Sequence, residues 1–119
     1  MSTEPSTDPL RARLRAALSV AMKSRDRQAI AALRSTLGAI DNAEAVDVGE
    51  HRAGAVEGSA VGLGVAEVAR RELTEADIEQ IVRAEIAERH TVAEEYDGVG
   101  RAEQAEELRV QAKVLADLL

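Results

Sequence analysis

A chain with no cysteine has no thiolate nucleophile, no disulfide and no Cys-ligated zinc. Any chemistry falls to its carboxylates, its two histidines, its hydroxyls and its cations. His90 and Glu94 stand four apart and share one face of a helix, but two ligands fall short of the three or four that a metal site uses. His51 sits among glycines with no partner nearby in sequence, the setting of a solvated loop histidine. Gly62-Leu63-Gly64 is a fragment of a dinucleotide fingerprint with no Gly-Lys-Ser/Thr after it, and Glu57 and Glu67 flank it with charge that repels phosphate. It reads as a flexible linker. The pairs Glu94-Glu95 and Glu106-Glu107 have the chemistry of a general acid or base, yet on amphipathic helices such pairs are solvated faces. No serine has an adjacent His or Lys to activate it. The residues therefore assign no catalytic group, no cofactor-binding group and no metal ligand.

The cations are more informative. Lys23, Arg25 and Arg27 cluster within five positions, and Arg34 follows about two turns along. Positive groups gathered at one end of a helical protein suit contact with phosphates. The chain holds one Tyr and no Phe or Trp, so bases cannot be read by stacking between aromatic rings, and contact is limited to the nucleic-acid backbone. A competing arrangement pairs these cations with acidic side chains of the second half, with Arg34 turned inward beside Leu33. Charge is unevenly spread. Residues 1–40 carry seven basic and three acidic side chains, a net +4, and residues 41–119 carry eight and nineteen, a net −11. The total of −7 repels nucleic acid at long range and favours neutralisation within the fold.

These groups need elements to position them. Hydrophobic residues make up 45% of the 119 positions but aromatics only 1%, so the core is Leu, Ile, Val and Ala, a mixture suited to close-packed helices rather than a sheet. Both prolines, Pro5 and Pro9, lie at the start. Asp8 as N-cap and Pro9 at the first helical position predict a helix whose stripe is Leu10, Leu14, Ala17, Leu18, Ala21 and Met22, with Arg11 and Arg15 on the solvent side. Lys23-Ser24-Arg25 connect to a second helix capped by Asp26, with Ile30, Leu33, Leu37 and Ile40 on one face and an end near Val46. A link this short makes the two antiparallel. Gly38 lowers helix propensity, or marks close approach of a neighbour.

Residues 47–73, with five scattered glycines, predict a mobile connection, and Val61 to Arg71 an irregular docked stretch. A third helix begins at Thr74-Glu75-Ala76-Asp77, a capping box with Asp in the usual Glu/Gln place. It continues through Ile78, Ile81, Val82, Ile86 and Ala93 or Tyr96, carries favourable i,i+4 pairs Glu79–Arg83 and Glu85–Arg89, and ends at Gly98-Val99-Gly100. A fourth runs from about Arg101, its seam Ala105, Leu108, Ala112, Leu115 and Leu119 stepping 3, 4, 3, 4. The expected fold is all-α: a four-helix bundle made of two helical hairpins, spanning residues 9–119 behind a flexible residue 1–8 segment. No apolar run approaches the ~20 residues of a membrane span, and the polar, acidic N-terminus is unlike a signal peptide, so the expected location is cytoplasmic.

Met22-Lys23-x-x-Asp26, Leu33-Arg34 and Asn42-Ala43-Glu44, followed by Thr74-Glu75-x-Asp77 and the late Glu-rich helix, resemble the YqeY proteins, which share a helical motif (the GatB/YqeY domain) with the tail of the amidotransferase component GatB. The resemblance runs from Leu10 to about Ala45 and from Leu73 to Leu119. It implies a helical N-terminal bundle, a link to tRNA-dependent amidation, and tRNA or amidotransferase subunits as partners. Typical members continue into another small domain related to the tRNA-contacting tail, where this sequence stops at Leu119. The description attached to that family, a carbon–nitrogen ligase with glutamine as amide donor, finds no amidase-type Ser/Lys arrangement and no ATP-phosphate cradle here. Two binding roles follow: a non-catalytic adaptor whose contact residues are Lys23, Arg25, Arg27 and Arg34, or an acidic interaction module or homodimer with no RNA role.

Overall fold

A computed structural model of the protein describes residues 8–56 and 72–119, with side chains described for 8–45 and 72–119. The described residues form four α-helices and no strand: α1 (Leu10–Ser24), α2 (Arg27–Val56), α3 (Glu75–Gly98) and α4 (Ala102–Ala116). The expected residue 1–8 flexibility falls almost wholly outside them, as do Gly62-Leu63-Gly64 and the docking of Val61 to Arg71.

The core follows the sequence stripes. Leu10, Leu14 and Ala21 of α1 meet Ala29, Ala32, Leu33 and Ile40 of α2, Ile78 and Val82 of α3, and Leu115 of α4. α1 packs against α2, α3 against α4, and α2 against α4. Cross-links fix the directions. The Leu10 N–H donates to Glu75 Oε2 at 2.6 Å, Arg11 meets Glu44 at 2.8 Å, and Ser35 Oγ donates to Glu85 at 3.1 Å. α1 and α3 therefore run the same way and α2 runs against both, so the α1–α2 corner and the α3–α4 turn lie at one end. Gln28, at the start of α2, reaches Gln111, nine residues into α4, so the α3–α4 turn projects about 13 Å past the corner.

Two caps form as the residues dictate. Asp26 Oδ1 accepts from the Ala29 N–H at 3.2 Å. Thr74 Oγ1 accepts from the Asp77 N–H at 3.0 Å, and the Asp77 side chain accepts from the Thr74 N–H at 3.0 Å, a complete capping box. The start of α1 differs from expectation. Pro9 rather than Asp8 is the N-cap, and it makes no side-chain cap hydrogen bond. The Glu75 carboxylate, itself in the first turn of α3, takes the Leu10 donor, which has no partner within its own helix, so one carboxylate serves two helix N-termini.

Other positions also correct the sequence reading. α2 does not end near Val46 but continues helically to Val56, 30 residues in all. Extending a formed helix needs no new nucleus, so glycines costing about 1 kcal/mol each do not stop it. Met22 lies on the predicted apolar stripe yet is 48% exposed, and Leu119, at the end of the α4 seam, is also exposed. Arg11 is not free on the solvent side but half-buried in its ion pair with Glu44, which explains a cation the helix dipole disfavours. A Cβ at Gly38 would meet nothing within 4 Å, so no close approach requires the glycine. Gly38→Ala is expected to stabilise the protein by about 1 kcal/mol, read as a higher urea midpoint at unchanged slope.

Candidate functional site

The basic corner is built by the turn between α1 and α2. α1 ends with Arg25 at φ 59°, ψ 38°, left-handed, and the Asp26 N–H donates back to Ala21 O at 2.9 Å. This closure usually employs glycine, because a Cβ in that region strains the backbone by about 1 kcal/mol or more. Arg25→Gly is therefore expected to raise stability by roughly 0.5–1 kcal/mol, a gain that calorimetry registers as a higher melting midpoint.

Lys23, Arg25, Arg27 and Arg34 are all exposed. Among the described residues none of the four forms an ion pair. Among the described residues, the expected neutralisation by acidic side chains of the second half is not seen. Arg34 is not turned inward beside Leu33: its Nη2 lies 4.0 Å from the Met22 sulfur on the surface. Lys23 stands in the last turn of α1, where the dipole favours it. Arg27 stands in the first turn of α2, where the dipole opposes it. Val20, 65% exposed, and Met22 add apolar surface next to these cations.

The carboxylate pairs are solvated. Glu94, Glu95, Glu106 and Glu107 are exposed, at the end of the bundle that also carries the basic corner. Glu94 and Glu106 act at a distance on Arg109, whose guanidinium is held above its ordinary pKa chiefly by its hydrogen bond to Asp97. His90 is exposed, and among the described residues no group of three or more His, Asp or Glu side chains could hold a metal ion. His51 lies outside the residues with described side chains.

A polar feature with no clear sequence signal joins three of the helices around Arg89. Arg89 is 9% exposed. Its Nη1 donates to Glu85 Oε1 at 2.9 Å and to Glu85 O at 3.1 Å, and its Nε donates to Gln111 Oε1 at 3.0 Å. Gln111 Nε2 donates to Gln28 Oε1 at 2.7 Å, and Ser35 Oγ donates to Glu85 Oε1 at 3.1 Å. The result is one polar chain, Ser35–Glu85–Arg89–Gln111–Gln28, joining α2, α3 and α4. The Glu85–Arg89 spacing was visible in sequence, but an i,i+4 pair looks the same whether it faces water or a neighbouring helix. Beside it lies an open groove of about 250 Å³ lined by Ser35, Glu85, Glu88, Arg89, Val92 and Leu108. A smaller one of about 110 Å³ lies by Leu10, Arg13, Glu75, Glu79, Arg83 and Leu119. Neither gathers a nucleophile with a base.

Among the described residues, no helix is long and apolar enough to cross a membrane. The chain matches no protein-family model, no curated protein and no solved structure.

Proposed function

We propose that this chain is a non-catalytic helical adaptor of the YqeY type whose basic corner touches the phosphates of an RNA partner, tRNA foremost, in the cytoplasm. The observation that carries the reading is four exposed cations, Lys23, Arg25, Arg27 and Arg34, without an ion-pair partner among the described residues of a chain with 22 acidic side chains. The helix dipole accounts for Lys23 but not for the other three, and among the described residues no carboxylate neutralises any of the four. With one Tyr and no Phe or Trp in the whole chain, contact is with the sugar–phosphate backbone and is not sequence-specific. The exposed carboxylates at the same end repel phosphate from that side and restrict the direction of approach. An amidation role enters through the partner, since neither groove among the described residues gathers a nucleophile with a base. Self-association through the α4 seam has less to support it: of that seam Ala105, Ala112 and Leu115 are buried within the chain, Leu108 is half-buried and Leu119 is exposed.

Fluorescence anisotropy with bulk tRNA tests the reading. Binding is expected to weaken roughly tenfold or more between about 50 and 200 mM salt. Arg25→Glu combined with Arg27→Glu is expected to weaken low-salt binding by at least about tenfold, whereas Arg83→Glu, midway along α3, changes it little. Negligible binding at both salt concentrations, unaltered by the charge reversals, would dispose of the RNA role.

A further inference from the structure

We propose that the polar chain Ser35–Glu85–Arg89–Gln111–Gln28 is the register key of the bundle: it selects one alignment of α2 against α3 and α4 rather than adding net stability. The apolar surfaces beside it specify alignment poorly. The buried side chains of α4 are Ala105, Ala112 and Leu115, and α2 brings Ala29 and Ala32 alongside its larger Leu33 and Ile40. The two buried alanines of α4 are seven apart, so a two-turn slip along the helix replaces one by the other. Shallow alanine ridges interlock weakly, and no Phe or Trp is available to lock the helices by shape.

The polar chain behaves differently. Its hydrogen bonds span three helices, and two members are used more than once: buried Arg89 donates to both Glu85 and Gln111, and half-buried Gln111 also donates to Gln28. A slip of one turn, about 5.4 Å, breaks the 2.7 Å Gln111–Gln28 bond and strips buried Arg89 and half-buried Gln111 of partners beside a groove that water reaches only in part. The shifted states are penalised by orphaned polar groups. The aligned state gains little over an apolar core, because withdrawing the Arg89 and Glu85 charges from water offsets most of their attraction. Alignment is thereby bought through the cost of the alternatives, as a buried polar residue does in a coiled coil.

The test replaces every member of the key except exposed Ser35: Gln28→Leu, Glu85→Leu, Arg89→Met and Gln111→Leu in the full chain. The expected product still unfolds cooperatively, with a melting midpoint within a few degrees of the parent or above it. Its amide NMR signals from α2 and α4 are doubled or broadened. Exchange protection of Ala32 to Ile40 drops at least roughly tenfold relative to the slowest amides elsewhere. The surface pair exchanged likewise, Glu79→Leu with Arg83→Met, leaves spectrum and protection as in the parent. One sharp set of signals with the parent's protection pattern overturns the proposal. So does failure to fold or a large fall in midpoint, since either makes the polar chain a source of stability. None of these outcomes bears on tRNA binding.

Discussion

Leu33→Ala is expected to remove about 3 kcal/mol of folding stability, equivalent to a fall of roughly 10 °C or more in the melting midpoint for a domain of this size. Leu33 is 1% exposed and belongs to the cluster that draws in all four helices. The reason for a large effect is compositional. A core without Phe or Trp has few bulky groups, and its largest fully buried side chains are Leu10, Leu14, Leu33, Ile40, Leu115, Val82 and Thr36. Cutting one back to Cβ leaves a void that neighbouring alanines are too small to fill. Chemical denaturation measures the loss directly. Val20→Ala, at a position 65% exposed on α1, is the matched control and is expected to stay within about 0.5 kcal/mol of the parent. A loss below about 1 kcal/mol at Leu33 would mean that the helices do not meet there.

Arg89→Ala carries the second large effect, an expected loss of about 3 kcal/mol. Here the damage lies in what stays behind. Truncation leaves the Glu85 carboxylate with Ser35 as its remaining side-chain partner and deprives Gln111 Oε1 of its donor. The open groove lets water reach part of the site and keeps the loss from growing larger. A double-mutant cycle with Glu85→Ala separates the terms: the second substitution on the Arg89→Ala background should cost little or restore stability, because it removes the orphaned charge. Additive losses at the two positions would show that the pair is not coupled. The contrast with complete apolar replacement is instructive, since the same residues destabilise when halved and are nearly neutral when exchanged together.

Much of the fold is legible in the sequence where the determining physics is local. Asp26 and the Thr74–Asp77 box cap the helices they precede because a cap involves residues only three apart. The α4 seam is buried at Ala105, Ala112 and Leu115 because a 3–4 spacing defines one helix face. Contacts between distant segments leave no comparable trace. The carboxylate that satisfies the start of α1 comes from Glu75, 65 residues on, where local spacing points to neighbouring Asp8. Arg89 sits in a pattern shared by surface ion pairs, and its inward position depends on Gln28 and Gln111, two residues with no periodic signal. At the candidate site, the clustering of Lys23, Arg25 and Arg27 is evident from spacing. The outward position of Arg34 and the left-handed backbone of Arg25 depend on how the turn closes.

The central functional claim is that phosphates meet Lys23, Arg25, Arg27 and Arg34 at the α1–α2 corner. The most direct measurement is the slope of log affinity for tRNA against log salt concentration, taken for the parent and for Arg25→Gly. The substitution removes one cation while relieving the strained turn, so stability and binding should move in opposite directions. The expected parent slope is about −3, in keeping with three to four phosphate contacts, and the variant's slope is shallower by roughly 0.7–0.9. A flat dependence in the parent, or an unchanged slope in a better-folded Arg25→Gly protein, would contradict the claim.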